Sequence, residues 1–141
     1  MTAVIDAGIL YSLVDSADTS HDRAVTALQA ETQAIVVPQV IMPEICYLIG
    51  SRLGTAQETA FVRYLVDSDW RLEPLTDADL VRVIGLMSEH ATSAIGFVHA
   101  AVAATAERMA ATRIYTLNRH PYEQIRPVHA ERFELLPDST G

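Results

Sequence analysis

The sequence lacks the features of a secreted or membrane-spanning protein. Cys46 is the single cysteine among 141 residues, which excludes an internal disulfide, and its apolar neighbours predict a small core residue. The longest nearly apolar run, residues 94–106, contains His99 and is shorter than the ~20 residues that a membrane helix needs. The start has no basic leader and carries Asp6 where a signal peptide would be apolar. We therefore expect a cytoplasmic protein with no membrane segment.

The chain also has few basic residues and no recognisable glycine-rich phosphate-binding motif. All ten basic residues are arginine, against 18 acidic residues, and the net charge is −8. Such a protein repels nucleic acid at long range, so an RNA substrate would have to be drawn by local arginines and metal, whereas a basic protein partner suits the charge. The six glycines form neither a Walker loop nor a dinucleotide-binding fingerprint, which argues against a nucleotide- or phosphate-binding domain.

Short apolar segments alternate with helical patterns along the whole chain. The predicted strands are residues 3–5, 34–37, 70–73, 114–117 and 132–136, and the predicted helices begin near residues 9, 20, 39, 55, 76 and 95. This alternation implies right-handed crossovers and a mainly parallel sheet that is covered on both faces. The chain is therefore predicted to be one α/β domain spanning residues 1–141, with a polar tail from about residue 137.

Two of the predicted helices begin with capping signals. Thr55 and Glu58 have the spacing of a capping box, and Val66 is predicted to face inward from the helix that follows. Thr76 and Asp79 have the same spacing at the next helix. Because acids near a helix start are favoured by its positive end, Asp79 is predicted to be structural.

Asp6 follows the first strand and precedes the first helix. The carboxyl edge of the strands is where open α/β sheets bind ligands, which favours a functional carboxylate. Aspartate is also a preferred helix N-cap, and on that basis alone capping is the stronger interpretation. The sequence around Asp6 leaves both interpretations open.

Two further polar residues interrupt apolar helices. Glu44 is the only charged residue from Gln39 to Ser51 and shares a helix face with Val40 and Leu48, so we expect it to point into apolar surroundings and to need a partner. The alternative is a solvated gap in that face. A histidine such as His99 is more often a hydrogen-bonded core residue than a ligand.

Four segments in order resemble the PIN domain and, within it, the VapC toxins of bacterial toxin–antitoxin pairs. The segments are Val4-Ile5-Asp6-Ala7, Val36-Val37-Pro38 with Pro43-Glu44-Ile45, Ile95-Gly96-Phe97-Val98-His99-Ala100-Ala101, and Tyr115-Thr116-Leu117-Asn118-Arg119. The resemblance covers almost the whole chain. It implies a PIN-like three-layer fold whose five-stranded sheet has the order 3-2-1-4-5, with helices on both faces.

The resemblance also implies a divalent-metal-dependent endoribonuclease that uses Mg²⁺ or Mn²⁺. Asp6 and Glu44 match the first two acids of the family, whereas His99 and Asn118 stand where aspartates are usual. The implied metal ligands are Asp6, Glu44 and His99, with Asn118 and Thr116 orienting water or a ligand. An imidazole ligand would favour Mn²⁺ over Mg²⁺.

The implied partners are an RNA substrate, a cognate basic VapB-like antitoxin and a second copy of the chain. The C-terminal segment of such an antitoxin lies in a groove of the toxin and often presents arginine to its carboxylates. The replacement of two acids leaves an alternative function, which is a catalytically impaired PIN domain that binds antitoxin or RNA without cleaving it.

Overall fold

The computed structural model describes residues 1–93 and 95–138, so residues 139–141 of the predicted polar tail lie outside the described part. The strands in this part are β1 (Thr2–Ile5), β2 (Ala34–Pro38), β3 (Arg71–Glu73), β4 (Arg113–Tyr115) and β5 (Glu134–Leu136). Its α-helices are α1 (Ala7–Val14), α2 (His21–Gln29), α3 (Met42–Leu53), α4 (Thr55–Asp67), α5 (Asp77–Glu89), α6 (Phe97–Arg108) and α7 (His120–Glu123). None of these helices is long and apolar enough to cross a membrane.

The strands form one sheet in the order β3-β2-β1-β4-β5, and every pairing between the described strands is parallel. At its centre, Val4 of β1 pairs with Val36 of β2 on one side and with Ile114 of β4 on the other. Consecutive residues of β1 are fully buried, so both faces of the sheet are covered, as parallel sheets require. The predicted α/β class and strand order are confirmed.

Several predicted elements have different ends in the structure. The segment predicted as a helix from residue 39 begins as a 3-10 turn, Gln39–Ile41, and becomes α-helical at Met42. Pro43 lies in the first turn of α3, where its missing N–H does least harm. β4 ends at Tyr115 and β5 begins at Glu134, so each is shorter by two residues at one end than predicted.

The predicted capping box at Thr55 is wrong. α3 and α4 are joined by Gly54 alone, which serves as the C-cap of one helix and the N-cap of the next, so Thr55 is already the first helical residue. Gly54 has a φ of 101°, a conformation that glycine adopts without strain. Val66 is exposed rather than inward-facing.

The predicted capping box at Thr76 is confirmed. Thr76 Oγ1 accepts a hydrogen bond from the Asp79 amide at 3.1 Å, and Asp79 Oδ2 accepts one from the Thr76 amide at 3.0 Å. Asp79 is therefore structural, as expected.

Arg108 joins three elements at the opposite end of α6 from His99. Its Nε lies 3.0 Å from both oxygens of Asp79, its Nη1 lies 2.7 Å from Glu73 Oε1, and its Nη2 donates to the Pro74 carbonyl. Both carboxylates are nearly inaccessible to solvent, and the hydrogen bond from Arg108 lowers the pKa of Glu73 below its usual value. Arg108 thus stabilises two buried charges that pack α6 against α5 and β3.

We expect Arg108→Leu to lower the free energy of unfolding by about 3 kcal/mol, because it leaves two buried carboxylates with fewer partners. Urea unfolding at pH 7 measures this loss. The exposed residue Arg132 provides the matched control, and Arg132→Leu should change stability by less than about 0.5 kcal/mol. A loss as small in the Arg108 variant as in the control would contradict the role of this cluster.

The same cluster predicts a pH dependence. Because the pKa of Glu73 is lowered in the folded protein, its contribution is present above the usual glutamate pKa of about 4.3 and disappears as the pH falls through the lowered value. The difference in stability between the original protein and Arg108→Leu should therefore shrink in acid. A difference that stays constant from pH 7 to the acid transition would contradict this assignment.

Candidate functional site

Asp6 lies directly after β1 and caps α1. Its backbone is extended, its amide donates to the Tyr115 carbonyl at 2.9 Å, and its Oδ1 accepts a hydrogen bond from the Ala7 amide at 2.7 Å. The interpretation of Asp6 as an N-cap is therefore confirmed. Capping uses one carboxylate oxygen and leaves the other free to make different contacts.

The second oxygen of Asp6 accepts from two buried hydroxyl groups. Tyr122 Oη donates to Asp6 Oδ2 at 2.8 Å, and Thr116 Oγ1 lies 3.3 Å from the same oxygen. The exposed fractions are 6% for Asp6, 2% for Thr116 and 1% for Tyr122. Thr116 Oγ1 is also 3.2 Å from the Asn118 carbonyl oxygen and has a single proton to donate, so Tyr122 is the stronger donor to Asp6.

Tyr122 remains protonated at neutral pH. Burial, followed by the negative charge of Asp6, raises the pKa of its phenol well above the ordinary value, and the charge of Glu44 adds to the effect. The hydroxyl of Tyr122 is therefore a hydrogen-bond donor at neutral pH, and the charges of Asp6 and Glu44 both act on it.

His99 lies beside Tyr122. The two rings meet edge to face with centroids 5.5 Å apart, and His99 Nε2 is 3.4 Å from Asn118 Nδ2. The side chains of His99 and Asn118 therefore lie beside each other at the carboxyl edge of the sheet. His99 is half-buried, at the edge of the site, rather than enclosed in the core.

Glu44 is exposed, so the expectation that it points into apolar surroundings is wrong. The buried face of this segment is formed by Ile41, Ile45 and Ile49, which turns Glu44 outward. Its side chain faces solvent instead, and its charge adds to the rise in the pKa of Tyr122.

Three of the candidate residues lie at helix starts. Asp6 is the N-cap of α1, Glu44 lies in the first turn of α3, and His99 is the third residue of α6. The partial positive charge at a helix N-terminus stabilises carboxylates and anionic ligands. Thr116 and Asn118 follow β4, so the candidate residues meet at the carboxyl edge of the sheet.

The sequence pattern of the PIN domain matches residues 3–126. The chain belongs to the PIN domain family. Ribonuclease VapC26 of Mycobacterium tuberculosis is 27% identical over 134 residues, which cover 95% of this chain and 99% of the relative. The resemblance to VapC-type toxins is thereby confirmed.

Solved structures of such toxins share this PIN fold. VapC20 of M. tuberculosis, described as a toxin that cleaves the sarcin-ricin loop, superposes with a TM-score of 0.76 at 15% identity, covering 84% of this chain and 91% of that chain. The VapBC2 complex of Rickettsia felis, bound to a promoter DNA fragment, gives a TM-score of 0.73 at 16% identity, covering 97% of this chain and 100% of that chain.

PIN-domain ribonucleases generally depend on a divalent cation, and the kinds of donor at this site fit one. Asp6 and Glu44 offer carboxylate oxygens, and His99 offers an imidazole nitrogen. Within residues 1–93 and 95–138, however, no three His, Cys, Asp or Glu side chains form a group that could hold a metal ion. Side chains suited to binding a cation are thus present, but they are not grouped closely enough to form a metal site in the described residues. The ligand set of Asp6, Glu44 and His99 stays a prediction.

Sequence reasoning missed Tyr122. No helix was predicted after the fourth strand, whereas residues 120–123 form the short helix α7. Two signals were available: Pro121 is a typical first-turn residue, and Tyr122 and Ile125, both buried, have the spacing of one helix face. The hydroxyl contact with Asp6, 116 residues away in the chain, has no sequence signal.

We expect Asp6→Asn to fold with a free energy of unfolding within about 1 kcal/mol of the original protein, because its amide oxygen can still cap α1 and the two hydroxyls can turn to accept from its nitrogen. Asp6→Ala should cost about 2–4 kcal/mol, because it removes the cap and leaves Tyr122 and Thr116 without their acceptor. Urea unfolding separates the two variants.

The exposed residue Asp69 supplies the control, since Asp69→Ala should change stability by less than about 0.5 kcal/mol. Equal losses in Asp6→Asn and Asp6→Ala would show that the charge, rather than the hydrogen bonds, stabilises this part of the fold.

Proposed function

We propose that this chain is a VapC-like toxin, an endoribonuclease that hydrolyses RNA phosphodiester bonds. The observation that carries the proposal is the placement of Asp6, Glu44 and His99 at the carboxyl edge of a PIN-family sheet, where Asp6 and His99 both contact Tyr122. The N-termini of α1, α3 and α6 lie at the same edge, and the partial positive charge of a helix N-terminus favours binding of a phosphate group.

Asp6, Glu44 and His99 would hold the cation. When bound, a divalent cation supplies an activated water and neutralises charge that develops on the phosphate. Thr116 and Asn118 would orient that water or the RNA, because their side chains lie beside Asp6 and His99. With an imidazole in the donor set and only two carboxylates, we propose that Mn²⁺ supports activity better than Mg²⁺.

A second candidate function is a PIN domain that binds antitoxin or RNA without cleaving it. Neutral donors already bind both oxygens of Asp6, and neither His99 nor Asn118 supplies the negative charge of the aspartate that the family usually has there. The carboxylate thus has hydrogen-bond partners without a cation, which favours a binding role. The two candidates differ in one measurable property, which is turnover of RNA.

We also propose that a basic VapB-like antitoxin occupies an apolar groove beside the site. The groove has a volume of about 530 Å³ and is formed by residues of α1, α2 and α4 together with Trp70; among them are Leu10, Leu13, Leu28, Ala60 and Phe61. Leu10, which lines the groove, lies one helical turn beyond Asp6, so the groove begins within one turn of α1 from the site. The net charge of −8 suits such a partner, and the Rickettsia neighbour is itself a VapBC complex. A homodimer stays a prediction of the family resemblance, and a cytoplasmic location stays a prediction from the sequence.

Purified protein without antitoxin should cleave total bacterial RNA in Mn²⁺, less in Mg²⁺ and not in chelator. Asp6→Asn should reduce the rate by more than the roughly 10- to 100-fold that loss of an outer-shell partner of a metal costs. The combined change His99→Asp and Asn118→Asp should raise the rate in Mg²⁺, because it restores the carboxylates that this ion prefers. Gel analysis of the cleaved RNA measures all three effects.

Cleavage that continues unchanged in chelator would contradict the nuclease proposal. A folded protein that cleaves no RNA in any metal, yet binds antitoxin tightly, would establish the second candidate function instead.

Filling the groove should weaken antitoxin binding without harming the fold. Ala60 is exposed and lines the groove, so Ala60→Trp should raise the Kd for the C-terminal segment of the cognate antitoxin about tenfold or more. Ala78 is exposed on α5, outside the groove, and Ala78→Trp is the matched control. Calorimetry measures the affinities, and light scattering of the same samples should give twice the mass of one chain for the free toxin.

Equal affinity of the two tryptophan variants for the antitoxin segment would place its binding surface elsewhere. A free toxin with the mass of a single chain would contradict the homodimer.

A further inference from the structure

The Oδ2 atom of Asp6 is engaged by hydroxyl groups, whereas Oδ1 keeps one acceptor position open. An ionised carboxylate has about four acceptor positions on its two oxygens. The Ala7 amide occupies one position on Oδ1, while Tyr122 and, more weakly, Thr116 occupy those on Oδ2. A ligand at Asp6 therefore finds Oδ2 already engaged by hydroxyl groups.

Tyr122 cannot leave Oδ2 easily. Its side chain is 1% exposed and is held edge to face against the His99 ring. Swinging the phenol aside would expose a buried aromatic ring and leave its hydroxyl without an acceptor. The position of the hydroxyl is therefore set by the packing of α7 and α6 and does not depend on a flexible side chain.

The Tyr122 phenol also contacts a second candidate donor. Its hydroxyl donates to Asp6 Oδ2, its ring packs edge to face against the His99 ring, and the charge of Glu44 adds to the rise in its pKa. A cation that coordinates Asp6 through Oδ2 would have to displace the hydroxyl hydrogen bond or share the oxygen with it.

We propose that Tyr122 is a positioning residue that limits the affinity of the Asp6 site for divalent cations by holding Oδ2. The proposal rests on the proposed function in so far as the cation binds at Asp6. Removing the hydroxyl while keeping the ring should therefore strengthen cation binding.

The chain offers a matched control for this substitution. Tyr115 is also buried, and its hydroxyl donates to a carboxylate, Glu31 Oε1, at 2.7 Å. Tyr115→Phe removes the same kind of hydrogen bond as Tyr122→Phe, from a pair that does not involve Asp6. Any general effect of losing a buried tyrosine hydroxyl appears in both variants.

Calorimetric titration with Mn²⁺ alone, in metal-free buffer, tests the proposal. Tyr122→Phe should bind Mn²⁺ with a Kd about tenfold lower than the original protein, the effect of losing one competing hydrogen bond to a charged group. Tyr115→Phe should leave the Kd unchanged, and adding Asp6→Asn to Tyr122→Phe should abolish the gain. Thr116→Val should give a smaller gain, because its bond to Oδ2 is longer and shared. Thermal unfolding of each cation-free variant verifies that it is folded.

Equal or weaker Mn²⁺ binding by Tyr122→Phe would overturn the proposal; weaker binding would mean that the hydroxyl orients Asp6 for the cation. An equal gain in Mn²⁺ affinity for Tyr115→Phe would overturn it as well.

RNA cleavage, measured in parallel, separates this result from the proposed function. Cleavage by the original protein without a gain in Tyr122→Phe rejects only the role of Tyr122. A gain that Asp6→Asn removes, without cleavage by any variant, supports that role and rejects the nuclease.

Discussion

The buried carboxylate of Asp6 is the constraint on which the site depends. A carboxylate that is 6% exposed is costly unless its oxygens are hydrogen-bonded. The partners that it finds belong to α1, to the end of β4 and to α7, so one charge ties three parts of the chain together. A four-residue helix such as α7 has little stability of its own, and the Tyr122 contact fixes it against the sheet.

The arginine–carboxylate ion pairs outside the site join parts of the fold. Arg108 holds Glu73 and Asp79, Arg82 holds Glu107, and Arg113 holds Glu31. Arg119, next to Asn118, donates to the carbonyl groups of Leu135 and Pro137. These arginines are engaged in packing the fold, which reduces the number that could attract RNA. Association with an acidic chain of net charge −8 therefore favours a basic protein partner over nucleic acid at long range.

The same hydrogen bonds connect the two candidate functions. Because Tyr122 donates to Asp6, the carboxylate is hydrogen-bonded without a cation, and this holds for either function. The two functions differ in whether a cation competes with the hydroxyl for Oδ2. His99 and Asn118 contribute no negative charge, so the electrostatic attraction for Mg²⁺ rests on Asp6 and Glu44 alone.

Local sequence patterns predicted the fold class and the position of Asp6. Alternating apolar segments predicted the α/β class, and the position of Asp6 between strand and helix predicted both its cap and its place at the sheet edge, because these properties depend on near neighbours in the chain. Only the tertiary structure decided that Glu44 is exposed and that Tyr122 binds Asp6. The first depends on which face of α3 the core buries, and the second joins residues 116 positions apart. No local periodicity records a contact of that kind.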